Sequence, residues 1–426
     1  MKIYCSGIGG IGLSAYASLR KVRGHDVSGS DPSETEVTER LRKEGINVFR
    51  EQDGSHVPAD ADLFVYSEAI PVYAPERMKA REFGIPSQSY FQALGELSRD
   101  SFVIAVCGTH GKSSTTAMAA RMLMEASRDP TVVVGTKLPE LSGRNWRAGK
   151  SDLFLLEACE YRRSFLALSP DIILLTNADG DHFDAFADME EYRQAFIDFF
   201  RKLPKEGIII THLSDPDCAA LSARVKRSVK DVDVLPLPNL TIPGRHMQKN
   251  AQLVLGLAEE MGIPNDDACG ALKGYRGCWR RMEVKGIIDQ DIIVMDDYAH
   301  HPTEIRATLS GIREFYPNRR IIAVFQPHTH HRTLALYDAF TKCFSDTDEL
   351  ILTDVYEARA DIEQGRVDLR ALAADIRRVS GISVTCGGNL QEVEELLRSG
   401  KILRPHDILL CMGAGTVTGL ASAMLH

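Results

Sequence analysis

The sequence predicts an α/β fold of three domains, each with a mostly parallel sheet. Short β-branched runs alternate with helical patterns along the whole chain, and several of those runs are continuously apolar, as strands covered on both faces must be. The 426 residues, 44% hydrophobic and 26% charged, suffice for two or three separate cores.

Taken in order, strands are expected at Lys2–Ile8, Leu63–Ser67, Phe102–Cys107, Leu153–Ala158, Ile172–Asn177, Gly207–Thr211, Arg320–Phe325, Glu349–Asp354 and Asp407–Met412. Helical periodicity marks Thr115–Glu125, Glu190–Leu203, Met247–Met261, Pro302–Phe315 and Leu390–Leu397. Two seams divide the chain. The first is polar, Gly95–Asp100; the second, Arg276–Lys285, precedes a β-hairpin expected at Gly286–Val294. The expected domains are therefore residues 1–97, 98–286 and 287–426.

Charge and composition narrow the function. Fifty basic against 59 acidic side chains give a net charge of -9, which argues against nucleic acid as a partner. Backbone N–H groups can still bind small anions. Nine scattered cysteines without a C-x-x-C pair read as reduced thiols of a cytoplasmic protein. No apolar run is long enough to span a bilayer, so membrane insertion is not expected. The uncharged stretch after Lys2 carries four glycines and fits a turn better than a signal peptide.

The first strand runs into Gly7-Ile8-Gly9-Gly10-Ile11-Gly12, a G-x-G-x-x-G that opens a helix. Glycine is needed there because the turn is tight and the backbone must approach a pyrophosphate at the helix N-terminus. Asp31 follows Ser30 at the end of a second strand, placed as a ribose ligand would be in a nicotinamide enzyme. A plain glycine-rich turn is the bland alternative.

A second loop, Gly108-Thr109-His110-Gly111-Lys112-Ser113-Ser114, sits between a buried strand and a helix. It resembles a phosphate loop two residues short of G-x-x-x-x-G-K-[ST]. Its glycines allow close approach, Lys112 offers a charge for terminal phosphates, and Ser113 offers an oxygen to Mg²⁺. The alternative is a helix N-terminus with capping hydroxyls. Two phosphate loops in one chain suggest one nucleotide as energy source and another as handle.

Glu157 ends an apolar strand, and Asp181-His182-Phe183-Asp184 follows the next one. Strand C-termini face the crevice where open α/β sheets bind ligands. A solvated acidic loop is the alternative for 181–184, and His is an unusual partner for Mg²⁺. Arg280-Arg281 lies at the second seam, where an arginine could reach a γ-phosphate. Asp296 through Glu304 and Phe325 through Thr333 contribute five histidines at two strand ends, without the spacing of a zinc site.

Taken together, these motifs resemble those of the Mur ligase family in order and over nearly the whole chain. The short Gly108–Ser114 loop is the length of that family's own G-T-H-G-K-T-T, while Asp297–Glu304 and Phe325–His328 resemble its D-D-Y-x-H-H-P-T-E and F-Q-P-H. The resemblance implies a Rossmann-like UDP-sugar-binding domain, a central ATP-binding domain and a Rossmann-like C-terminal domain carrying the amino-acid site. It implies an ATP-dependent ligase of peptidoglycan precursor synthesis, with UDP-N-acetylmuramate, ATP and L-alanine as substrates. A relative adding a preformed peptide or another amino acid is the alternative.

By the same resemblance, the UDP-sugar meets Gly7, Gly9, Gly10, Gly12, Ser30, Asp31 and Ser67. ATP meets the residues from Gly108 to Ser114, with His246 and Asn250 at adenine, Arg281 at the γ-phosphate and Asp297 at the ribose. Two Mg²⁺ ions are implied, one on Ser113 and Glu157 and one on His182. Lys112, Glu157, His182 and Arg281 would carry the catalysis. His300, His328 and Arg332 would line the alanine site. Met247, Thr329 and Thr416 depart from the family's usual residues.

Overall fold

The computed structural model describes residues 1–180, 185–357 and 365–426. Its three sheets follow one another along the chain. The first holds β1 (Lys2–Ser6), β2 (Asp26–Ser30), β3 (Asn47–Phe49), β4 (Leu63–Tyr66) and β5 (Ser87–Ser89), all parallel, in the order β3-β2-β1-β4-β5. The order reverses at β1. That is the switch point where an open α/β sheet opens its ligand crevice, and the glycine-rich turn Gly7–Gly12 leaves β1 there.

The second sheet holds β6 (Phe102–Cys107), β7 (Thr131–Leu138), β8 (Arg144–Arg147), β9 (Leu153–Glu157), β10 (Ile172–Leu175), β11 (Ile208–Thr211) and β12 (Ser228–Asp231). Their order is β12-β11-β10-β6-β9-β7-β8, with only β8 antiparallel. The phosphate loop thus leaves a central strand flanked by β10 and β9. The third sheet, β13-β14-β18-β15-β16-β17, comprises β13 (Glu283–Ile288), β14 (Ile292–Asp297), β15 (Ile321–Phe325), β16 (Glu349–Thr353), β17 (Ser383–Gly388) and β18 (Ile408–Met412). Here β13 and β14 form the expected antiparallel hairpin, starting three residues earlier than its sequence signal.

The chain packs into two compact units, Met1–Pro238 with Asn250–Lys273, and Asn239–Lys249 with Gly274–His426. Within the first unit one apolar core runs continuously from Ile3, Leu19 and Leu94 to Val103, Phe165 and Phe199. The helix Tyr90–Leu97 lies so close to the turn Tyr161–Ala167 that a Cβ on Gly95 would stand 2.2 Å from the Ala167 carbonyl oxygen. The second unit buries its own core of Val294, Val324, Ile351, Leu409 and Val417. All nine cysteines are free, and no helix among the described residues is long and apolar enough to cross a membrane.

Candidate functional site

The phosphate loop takes its shape from two glycines. Gly108 (φ +130°) and Gly111 (φ +81°) adopt backbone conformations that L side chains avoid. Gly111 caps the helix Lys112–Glu125, which brings the first-turn N–H groups and the helix dipole to the loop. Strand β10 supplies the supports. Asn177 accepts the His110 N–H at 2.9 Å and donates to the His110 carbonyl at 3.1 Å, while Thr176 Oγ1 donates to the same carbonyl at 2.6 Å. Thr109 Oγ1 and the Tyr192 hydroxyl share a 2.7 Å hydrogen bond.

Lys112 curls over this loop. Its Nζ donates to the Gly108 and Thr109 carbonyls at 2.5 and 3.1 Å and lies 3.0 Å from Glu160 Oε2. Glu160 is fully buried and the Lys112 side chain only 15% exposed, so the pair sits in a low dielectric. Burial pulls the ammonium pKa down most strongly, but the neighbouring anionic groups, Glu160 first among them, together hold it above its usual range. Sequence reasoning missed Glu160. The signal available was a second glutamate three residues beyond Glu157, just after the strand.

Ser113 and Ser114 are buried in the first helical turn. A Cβ on Gly135 would stand 2.7 Å from Glu157 Oε2, so glycine at that position makes room for the carboxylate. A hydroxyl and a carboxylate are hard oxygen donors of the kind Mg²⁺ takes, and the pair fits such an ion. His182 falls outside the described residues. Asn250 lies against the loop, its Oδ1 2.8 Å from where a Gly111 Cβ would stand.

The first glycine loop is built differently. Gly7 (φ +78°) and Ile8 both donate to the Ser30 carbonyl, at 2.9 and 3.0 Å. The Asp31 carboxylate accepts the Gly9 N–H at 2.9 Å. A buried carboxylate, Glu76, gathers hydroxyls from Tyr4 at 2.7 Å, from Ser30 at 2.8 Å and from Ser6. The Ser30 side chain is thereby committed beneath the loop. Ser67 stands beside Gly7, its Cβ 3.0 Å from where a Gly7 Cβ would be, and no Cβ fits on Gly12 because the Tyr90 ring is 2.7 Å away.

In the second unit, neighbouring residues point opposite ways. Arg280 (φ +58°) is buried and donates to the carbonyls of Gly413 and of Gly415, the latter at 3.2 Å, while its Nε lies 3.3 Å from Asp296 Oδ2. Arg281 instead faces Glu304 at 3.5 Å. Asp297, one residue on from Asp296, accepts the N–H groups of Met282 at 2.6 Å and Ala299 at 2.7 Å. Burial pushes its pKa up to about 6, against the pull of Arg281. His246 is driven down to about 4 by burial and by the Arg281 charge.

The three residues expected at an amino-acid site do come together. His328 Nδ1 lies 2.9 Å from an Arg332 guanidinium nitrogen, and the His328 ring is 5.7 Å from that of His300. The ring of Tyr356, absent from the sequence reading, stacks on His328 at 5.8 Å. Thr329 holds a φ of +63°, rare for a β-branched residue, while its hydroxyl caps the helix His330–Ala335.

Fold and site together define an α/β protein with two glycine loops at strand ends, one of them armed with a buried lysine. Comparison narrows this. Three family models match in chain order: "Mur ligase family, catalytic domain" over residues 2–102, "Mur ligase middle domain" over 106–234, and "Mur ligase, glutamate ligase domain" over 280–415. The UDP-N-acetylmuramate–L-alanine ligase of Clostridium kluyveri is 37% identical, covering 100% of this chain and 98% of its own. That of Sulfurihydrogenibium is 36% identical over 99% and 97%. The chain belongs to the Mur ligase family.

Among solved structures, the UDP-N-acetylmuramate-alanine ligase of Thermotoga maritima aligns over 100% of this chain and 98% of its own, with a TM-score of 0.82 and 28% identity. The murein peptide ligase of Psychrobacter arcticus shares the fold at a TM-score of 0.73 and 23% identity.

Proposed function

We propose that this chain is an ATP-dependent ligase that joins L-alanine to the lactyl carboxylate of UDP-N-acetylmuramate in peptidoglycan precursor synthesis. The buried Lys112 in a shortened phosphate loop is the observation that carries the reading. Full-length likeness to relatives named for that activity supports the choice of substrates. The nucleotide substrates belong to the cytoplasm, where we place the reaction. We keep the division into domains 1–97, 98–286 and 287–426, for the UDP-sugar, for ATP, and for the amino acid with part of the nucleotide.

A carboxylate is a poor acyl donor. In the proposed reaction its oxygen attacks the γ-phosphorus of ATP, ADP leaves, and an acyl phosphate results. The alanine amine then attacks the carbonyl carbon, and the tetrahedral adduct expels phosphate. Lys112 and the loop N–H groups neutralise charge developing on the phosphates, the largest contribution expected in such chemistry. Arg281 would meet the γ-phosphate, Asp297 the ribose, and His246 and Asn250 the adenine. His300, His328 and Arg332 would orient alanine. Ser113 and Glu157 would hold one Mg²⁺ and His182 a second; the ion supplies charge neutralisation on phosphate.

The test is phosphate release from Mg·ATP with UDP-N-acetylmuramate and L-alanine present together and each omitted in turn. Release that needs both is expected. Release that needs the sugar nucleotide but ignores alanine would instead favour a peptide-adding relative, and none at all would overturn the reading.

A further inference from the structure

Tyr90 belongs to no motif, yet it stands between the two glycine loops. It directly follows β5, at the C-terminal end of the first sheet, and opens the helix Tyr90–Leu97. A capping box fixes that start: Ser89 Oγ accepts the Gln92 N–H at 3.4 Å and Gln92 Oε1 accepts the Ser89 N–H at 2.9 Å. The tip of the ring lies on the third glycine of the first loop, with Cζ 2.7 Å and the hydroxyl oxygen 3.0 Å from where a Gly12 Cβ would be. The hydroxyl also lies within electrostatic reach of Glu157, at the end of β9.

The Tyr90 side chain is placed to meet a ligand on the first loop. It is only partly buried, and its hydroxyl has no hydrogen-bond partner among the described residues. The hydroxyl is thus open to a ligand that enters beside Gly12. A phenol is protonated at neutral pH, so it is a neutral donor. A neutral donor suits an anion that must approach a carboxylate, because it attracts the anion without adding charge to the cleft.

We infer that the Tyr90 hydroxyl donates a hydrogen bond to the lactyl carboxylate of the sugar nucleotide and selects the muramoyl sugar over one lacking the lactyl group. This rests on the ligase reading above. If the sugar's diphosphate lies on Gly7–Gly12 and its carboxylate must meet the γ-phosphate near Lys112 and Glu157, the carboxylate has to pass the place Tyr90 occupies.

The experiment is calorimetric titration of the full-length protein and its Tyr90→Phe variant with UDP-N-acetylmuramate and with UDP-N-acetylglucosamine. Phenylalanine keeps the ring against Gly12, and an unchanged thermal melt verifies folding. A hydrogen bond to a charged group predicts roughly ten- to hundredfold weaker binding of the muramoyl nucleotide in the variant, with the glucosamine nucleotide changed by less than about twofold. Equal weakening of both, or no weakening of either, would overturn the inference. The ligase reading fails separately, in the wild type, if UDP-N-acetylmuramate neither binds nor supports alanine-dependent phosphate release.

Discussion

The two glycine loops both leave the C-terminal end of a central parallel strand and both open a helix, but they hold their charge in different ways. Gly7–Gly12 contains only glycine and isoleucine, and with the N–H groups of Gly7 to Gly10 donated within the protein, an anion there would meet those of Ile11 and Gly12 at the helix start. Even its acidic neighbour Asp31 is turned inward onto Gly9. Gly108–Ser114 carries a lysine held between two loop carbonyls and a buried glutamate. A loop of dipoles suits a phosphate that is gripped and left unchanged. A loop with a buried cation suits a phosphate whose charge shifts during reaction. On the proposed reaction, the first loop would serve as handle and the second as reaction centre.

The largest effect should come from breaking the ion pair that the second loop has and the first lacks. Glu160→Ala leaves Lys112 buried without its carboxylate and should cost about 3–5 kcal/mol in urea unfolding. Mg·ATP should restore part of that loss, because phosphate oxygens would stand in for the carboxylate. A loss below about 1 kcal/mol would mean that water or another group already satisfies Lys112.

Lys112→Ala should remove at least about a hundredfold of kcat while leaving binding of the UDP-sugar unchanged. Steady-state turnover alongside calorimetry separates the two, and equal losses in both would erase the distinction between the loops. The mirror experiment is Gly12→Ala, whose Cβ would collide with the Tyr90 ring. It should raise the KM for the UDP-sugar by roughly tenfold, about 1.4 kcal/mol, with little change in the KM for ATP.

The smallest effect concerns pH and the second unit. The folded pKa of Asp297 is raised to about 6, so its contribution favours folding at low pH and is lost as pH rises through about 6. His246 is lowered to about 4, so its contribution is present above about 6.5 and lost as pH falls toward 4. The two oppose each other over much the same window. In Asp297→Asn the histidine acts alone, and stability should fall more steeply from pH 6.5 to 4 than in the wild type. Parallel profiles from thermal melts across that range would show that Asp297 does not titrate there.

Strand–helix alternation was legible without coordinates because parallel strands buried on both faces announce themselves as apolar runs. The helix Pro302–Phe315 matches its sequence signal at both ends. Several strands that escaped notice lie at sheet edges, such as Ser228–Asp231 and Ser383–Gly388, where partial exposure leaves no continuous apolar pattern. Thr131–Leu138 is interior and largely buried, and its Thr-Val-Val-Val run went unread.

Both glycine loops could also be read directly, because glycine spacing after a strand is a local demand of backbone conformation. Their partners could not. Glu160 lies 48 residues from Lys112, and the two meet because β9 pairs beside β6. Tyr90 reaches Gly12 by the order of strands in the first sheet. Two adjacent arginines looked interchangeable in the sequence, and only the left-handed backbone at Arg280 sends one into the loop Gly413–Gly415 and the other toward Glu304. Local sterics and periodicity set the glycine turns and the fully apolar strands, which is why those could be located without coordinates. Which charge meets which was decided by tertiary structure, because strand order brings distant groups together and burial sets the strength of their interaction.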